Sequence, residues 1–267
     1  MKKQLLIVFF LLSIVAISQE NKPFYRGKIS SVEYVSPIIS RTADLVPFVD
    51  VHKEAKDKRS MGNVIIPGQD PQKQDDFFRR NRHPMEQSRK MANAGLVFDT
   101  YSSSSQPTDP SLAVGPNHVM VVFNTGFMIY DKQGNELLGE TAPNPAIFPS
   151  GGCCDLTVSY DNAADRWVLS FLGGGAQIAV SDGPNPLTSG WYIYNISQIN
   201  DYQKLSIWSD GYYLTDNTSS SNRVWALERD AMLQGDTNAG ILGFNLPNIR
   251  TSGFYSPQVL NVTDNNL

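Results

Sequence analysis

Histidine and cysteine are almost missing from this chain: 267 residues hold three histidines and two cysteines. His52, His83 and His118 are scattered, while Cys153 and Cys154 are adjacent. Zinc sites want about four ligands spaced on turns, so the cysteine pair alone makes none. Neither His-Glu-x-x-His nor Gly-x-Ser-x-Gly occurs, which removes the helical zinc-protease motif and the serine nucleophile elbow. No carboxylate pair stands out as the positioned dyad of a glycosidase. A basic excess is absent too: 22 Lys and Arg stand against 26 Asp and Glu, for a net charge of -4. That balance leaves no electrostatic footprint for nucleic acid. After residue 80 no segment carries a sustained apolar stripe at helical spacing.

What is present is strand-forming. Hydrophobic residues make up 41% of the chain, enough for a globular core. Beyond residue 95 Val, Ile, Tyr, Phe, Trp and Thr cluster in short runs between Gly, Pro, Asn and Asp. Three segments repeat one pattern of turn, apolar strand, turn, apolar strand. They begin at Asn117, Asp165 and Asp210 and continue through Phe127–Tyr130, Gln177–Val180 and Arg223–Leu227. Their spacing of roughly 46 residues is that of a β-propeller blade. The expected fold is therefore all-β: four-stranded antiparallel blades over residues 95–267, arranged radially. Propellers need at least about four blades to close, and the repeat region has room for roughly three and a half. The expectation is an incomplete propeller, the N-terminal part of a longer protein.

Residues 1–18 read as a secretory signal peptide. Lys2 and Lys3 form the basic start, Leu5 to Ile17 the apolar stretch, and Ala16-Ile17-Ser18 places small residues where signal peptidase inspects. The alternative is an uncleaved anchor, against which the run is short of the ~20 residues a spanning helix needs. No other membrane-span candidate exists. Residues 19–94 are polar and rich in Lys, Arg, Asp, Gln and Pro. They are expected to be a mostly disordered leader, with a propeptide or an arm on the propeller rim as alternatives. Gln74 to Met91 could form one short helix. Residues 102–110 form a linker, and Leu96-Val97-Phe98 an outlying strand.

Within the repeat, Asp131 to Asn135 is a hairpin turn in which Gly134 supplies positive φ. Gly173-Gly174-Gly175 is followed by a strand, so it is a hairpin turn and not a phosphate loop. Ser181-Asp182-Gly183 with Trp191 faintly resembles the Asp-box turn of sialidase-like propellers, which is structural. His118 follows Pro116-Asn117 at a strand start, where a hydrogen-bonded turn role fits. Asp155, Asp161 and Asp165 lie in a turn-rich region. They are candidate Ca²⁺ ligands, or carboxylates that cap the backbone of a hairpin turn. Cys153 and Cys154 can pair only in a strained small ring. The alternatives are two buried thiols, or pairing with cysteines beyond this chain.

Asp109-Pro-Ser-Leu-Ala-Val-Gly-Pro-Asn-His118 with Phe127 to Gly134 resembles the opening blade of a bacterial secreted β-propeller family. Tyr160 to Trp167 with Ile178 to Ser181 resembles its second blade. Asp201 to Tyr213 with Ala226 to Leu233 resembles its third. The likeness covers about residues 95–235. It implies large exported proteins of Gram-negative bacteria, many ending in adhesin-like modules or a type IX secretion sorting domain. No such ending is visible here, and no catalytic residue transfers. The expected function is a non-enzymatic, secreted or cell-surface binding, adhesion or scaffold module for an extracellular glycan or protein. The alternative is an extracellular hydrolase acting on glycan or peptide, with its site on funnel loops of the complete propeller. No cofactor is expected, Ca²⁺ at the three aspartates being the one alternative. Trp191, Tyr192, Tyr212 and Trp208 could stack on sugars or pack between strands.

Overall fold

The computed structural model describes residues 22–29, 32–47, 96–101, 107–216, 223–246 and 257–262. The expected signal peptide, the possible helix at Gln74 to Met91, His52 and His83 lie outside the described residues. The described chain is mostly β and forms three antiparallel sheets. The first holds β3 (Ser111–Val114), β4 (His118–Phe123), β5 (Gly126–Asp131) and β6 (Glu136–Thr141), in that order. The second runs β7 (Cys154–Asp161), β8 (Arg166–Leu172), β9 (Ala176–Ser181), β10 (Trp191–Ile196). The third runs β11 (Lys204–Ile207), β12 (Tyr212–Thr215), β13 (Arg223–Leu227), β14 (Gly240–Asn245). Each is a meander, so local turn chemistry suffices to direct it. Asp131 shows how: Oδ1 accepts the N–H groups of Gln133 and Asn135 at 2.8 Å each, while Gly134 takes φ +85°.

The sheets stack face to face. Trp167, Leu169 and Phe171 of β8 point into a core shared with Met120, Val122 and Ile129 of the first sheet. Their neighbours Val168 and Leu172 point the other way, into a core shared with Tyr212, Leu214, Trp225 and Ile241 of the third. A strand buried on both faces reads as a continuous apolar run, and β8 and β9 do so. The first strands of the three sheets, β3, β7 and β11, lie side by side along one edge of the stack. Residues 257–262 continue the series beside β11. Val262 donates its N–H to the Ile207 carbonyl at 2.7 Å, and Asn261 Oδ1 accepts the Ile207 N–H at 2.7 Å. Among the described residues no sheet closes on itself.

Part of the polar leader is ordered. Residues 22–29 and 32–47 pass over the outer edges of all three sheets, a placement the sequence held open only as an alternative. β1 (Tyr25–Lys28) pairs with β14 as a fifth strand of the third sheet, and β2 (Val32–Val35) pairs with β10 as a fifth strand of the second. A 3₁₀ segment, Ile38–Asp44, follows, and Pro47 then bridges Thr141 at the edge of β6. Two forces hold this strap. Edge strands offer unpaired backbone groups that a neighbour can satisfy, and Val35 and Ile38 enter the core between the first two sheets. Arg41 reinforces the path by donating to the carbonyls of Ser36, Pro145 and Ala146. The apolar signal, Val32 to Val35, is only four residues long, which is why leader composition hides it.

A second difference concerns Leu96-Val97-Phe98, which belongs to no strand. Phe98 and Tyr101 instead cover Val121, Phe123, Met128 and Tyr130 on the far face of the first sheet.

Candidate functional site

Asp109, Asp155 and Tyr202 occupy the same place in three successive repeats, roughly 46 residues apart. Each sits at the entry to the first strand of its sheet, and each has positive φ: +42°, +55° and +49°. Non-glycine residues rarely adopt this conformation, and a bulky one such as Tyr202 least of all. In β7 it coincides with a break in register between Cys154 and Thr157, the mark of a bulge. All three line one cleft of about 440 Å³, together with Ser111, Thr157, Ser159, Lys204 and Gln258. The Lys204 ammonium lies 3.4 Å above the Tyr202 ring.

Buried amides hold the cleft's walls together. Asn124, fully buried, donates from Nδ2 to the Pro107 carbonyl at 3.3 Å and accepts the Asp155 N–H on Oδ1 at 2.6 Å. It thus ties the first sheet to the bulge of the second. Gln203 does the same from the third sheet: its Nε2 donates to the Asp155 carbonyl at 2.8 Å and to Ser170 Oγ at 3.4 Å. Both sides of Asp155 are therefore gripped. Strained backbone held by surrounding structure clusters at ligand sites, and this cleft is where it clusters here. Hydroxyls, two carboxylates, a carboxamide and an ammonium line the cleft together with the apolar Pro110, Leu156, Val158 and Leu205.

The three candidate calcium ligands have separate environments. Asp155 lines the cleft. Asp165, at φ +55° in the β7–β8 turn, accepts the Tyr160 hydroxyl at 3.2 Å. Asp161 is fully buried, and its carboxylate meets Arg229 at 2.7 and 3.0 Å and the Tyr212 hydroxyl at 2.9 Å. Asp161 also accepts the Ala164 N–H at 3.2 Å, capping the turn. Among the described residues no three His, Cys, Asp or Glu side chains are gathered in a metal-holding group. The adjacent carboxylate favours the charged form of Arg229, and burial with the same carboxylate raises the Tyr212 hydroxyl pKa.

Cys153 and Cys154 are joined, with sulfurs 2.15 Å apart. Cys153 is exposed and Cys154 buried at the start of β7. His118 is nearly buried at the start of β4; its carbonyl accepts the Gly115 N–H at 2.9 Å, closing the turn before the strand. Burial lowers its imidazole pKa, and Nδ1 has no hydrogen-bond partner. In the Ser181–Gly183 turn, Ser181 Oγ donates to the Gly183 carbonyl at 2.7 Å and accepts the Trp167 N–H at 2.8 Å. Trp191 and Tyr212 are fully buried. Tyr192 packs on Tyr34, and Trp208 Nε1 donates to the Leu260 carbonyl.

Two buried groups do not stand out in the sequence. One is Arg229, whose partner lies 68 residues away. The other is Asp216, fully buried at the end of β12, with neither carboxylate oxygen in a hydrogen bond. The N–H groups of Asn200 and of Asp216 itself lie near it without closing a bond. Burial pushes its carboxyl up to about 6. Asp216 stands two repeats after Asn124, and the repeat itself was the available signal. Compared with known families, curated proteins and solved structures, the chain matches none.

Proposed function

We propose that this chain is a secreted, non-enzymatic binding module of β-propeller architecture, whose ligand site is the cleft at the entries of β3, β7 and β11. One observation carries this reading: the same left-handed backbone position in three successive repeats lines a single cleft. The radial arrangement is supported by face-to-face stacking of the sheets, by adjacency of their first strands, and by residues 257–262 taking the next place beside β11. The N-terminal basic and apolar segment supports export. The resemblance to exported propeller proteins supports the same reading. Loops at one end of such an array suit recognition, and the cleft's hydroxyls and charges suit a hydrogen-bonding ligand, a glycan or a protein surface.

Lys204→Glu reverses a charge inside the cleft on a half-exposed residue, so the fold should survive. Against a panel of immobilised glycans and proteins, wild type should retain a ligand that the variant binds at least about tenfold more weakly. Equal binding by both would place the site elsewhere. Turnover of glycans, esters or peptides, abolished by one carboxylate or histidine substitution, would replace this reading with the hydrolase.

A further inference from the structure

We propose that the Cys153–Cys154 disulfide is a redox-controlled clamp on the wall of the cleft, released by a dithiol. The bonded pair immediately precedes Asp155, the residue held at φ +55°. Upstream, Gly151 and Gly152 impose little of their own on the backbone. Gly152 is required for fit, since a Cβ there would stand 2.2 Å from the Phe171 ring, and nothing lies within 4 Å of a Cβ at Gly151. Entry into the bulge runs from this glycine pair, packed against Phe171 and with the Gly151 carbonyl accepting the Gln177 amide at 3.4 Å, into a left-handed residue. The covalent restraint between them is the small ring closed by the disulfide. Around it stand hydrogen bonds from the Cys153 N–H to the Leu172 carbonyl at 2.9 Å and from the Asp155 N–H to Asn124 Oδ1 at 2.6 Å.

Cys153 is exposed, so an external thiolate can reach its sulfur. Attack there forms a mixed disulfide and releases the Cys154 thiolate, which takes up a proton. The second thiol of the dithiol then displaces Cys153, leaving two protein thiols and an oxidised dithiol. With the ring open, the Cys153–Cys154 peptide regains torsional freedom, and Asp155 is left to its hydrogen bonds with Asn124 and Gln203. The Asp155 and Leu156 N–H bonds to Asn124, which link the first sheet to the second, then open more readily, and the cleft wall loosens. Only the consequence for ligand affinity rests on reading the cleft as a binding site; the conformational step does not.

Hydrogen exchange on the full chain tests this without a ligand. Non-reduced protein should take up no alkylating reagent, whereas dithiothreitol should expose two alkylatable thiols. On reduction the Asp155 and Leu156 amides should lose protection by about tenfold or more, while those of Tyr213 and Leu214 in the third sheet stay unchanged. Cys153→Ser/Cys154→Ser should show the reduced pattern with or without dithiothreitol. Unchanged exchange on reduction, a uniform loss of protection throughout the molecule, or two thiols alkylated without reductant would each overturn the clamp. If exchange responds as expected but no ligand binds, the clamp stands and the binding reading fails.

Discussion

Asp161 shows what one buried charge requires. Its carboxylate is out of solvent and is compensated by a two-point contact with Arg229 and by the Tyr212 hydroxyl. Removing it leaves the Arg229 guanidinium, only 10% exposed, with just the solvent-exposed Asp230 carboxylate at 3.2 Å as counter-charge. Asp161→Ala should therefore lower stability by about 3–5 kcal/mol, the usual cost of breaking a buried pair. Urea midpoints decide it, and a loss below about 1 kcal/mol would show the pair to be worth no more than a surface bridge. Asp216 is the opposite case, a buried carboxylate whose desolvation outweighs the nearby Asn200 and Asp216 N–H groups and the Arg223 charge. Its folded pKa of about 6 lies above the ordinary aspartate value of about 3.9, so the folded state holds the proton more tightly than the unfolded state. Stability is thus undiminished below about pH 4, falls as pH rises toward 6, and stays reduced above. Asp216→Asn places at this site the amide that Asn124 already supplies in the first sheet. It should raise stability at pH 7 by about 1–3 kcal/mol and flatten the profile between about pH 4 and 6. A variant with the wild-type profile would show that Asp216 does not titrate there.

At the scale of elements, the strap over residues 22–47 matters most. It adds β1 to β14 and β2 to β10, covering two edges that would otherwise present open backbone. Deleting residues 22–47 should bare both edges and the core around Ile38, giving association that light scattering detects. A monomer of unchanged stability would mean that the strap contributes nothing. The milder Ile38→Ala, at a residue 1% exposed, should cost about 2–4 kcal/mol. The hairpins needed no such tertiary help. Asp131 to Asn135, Asp161 to Asp165 and Gly173 to Gly175 were legible because their turn chemistry is local. The strap was not legible: its strands are four residues each, and their partners lie far along the chain.

For the molecule as a whole, three stacked sheets with their first strands along one edge make a single structural series, into which residues 257–262 also fit. If the chain is exported through its N-terminal segment, the mature protein should begin near Gln19, two residues after Ile17 and directly after the small residue Ser18. N-terminal sequencing of protein recovered outside the cytoplasm checks this, and an intact Met1 would rule the cleavage out. The order of the sheets in the stack follows the order of the repeats along the chain. The cleft is the property of the series: each repeat contributes one left-handed residue, and none of them alone encloses a space.

By itself the sequence determined the strand-rich character, the hairpin turns and the antiparallel sheets, because alternation and turn residues act within a few positions of one another. It also singled out Asp161 and the cysteine pair, as a capped turn and an unusual adjacency. Only the tertiary structure decided that Asp161 belongs to Arg229, that Asp216 lies buried without a partner, and that Asp109, Asp155 and Tyr202 share one cleft. It likewise decided that a polar leader supplies the outer strands of two sheets. These facts depend on contacts between residues tens to hundreds of positions apart. Their energies come from burial and charge pairing, which exist only once the sheets have stacked.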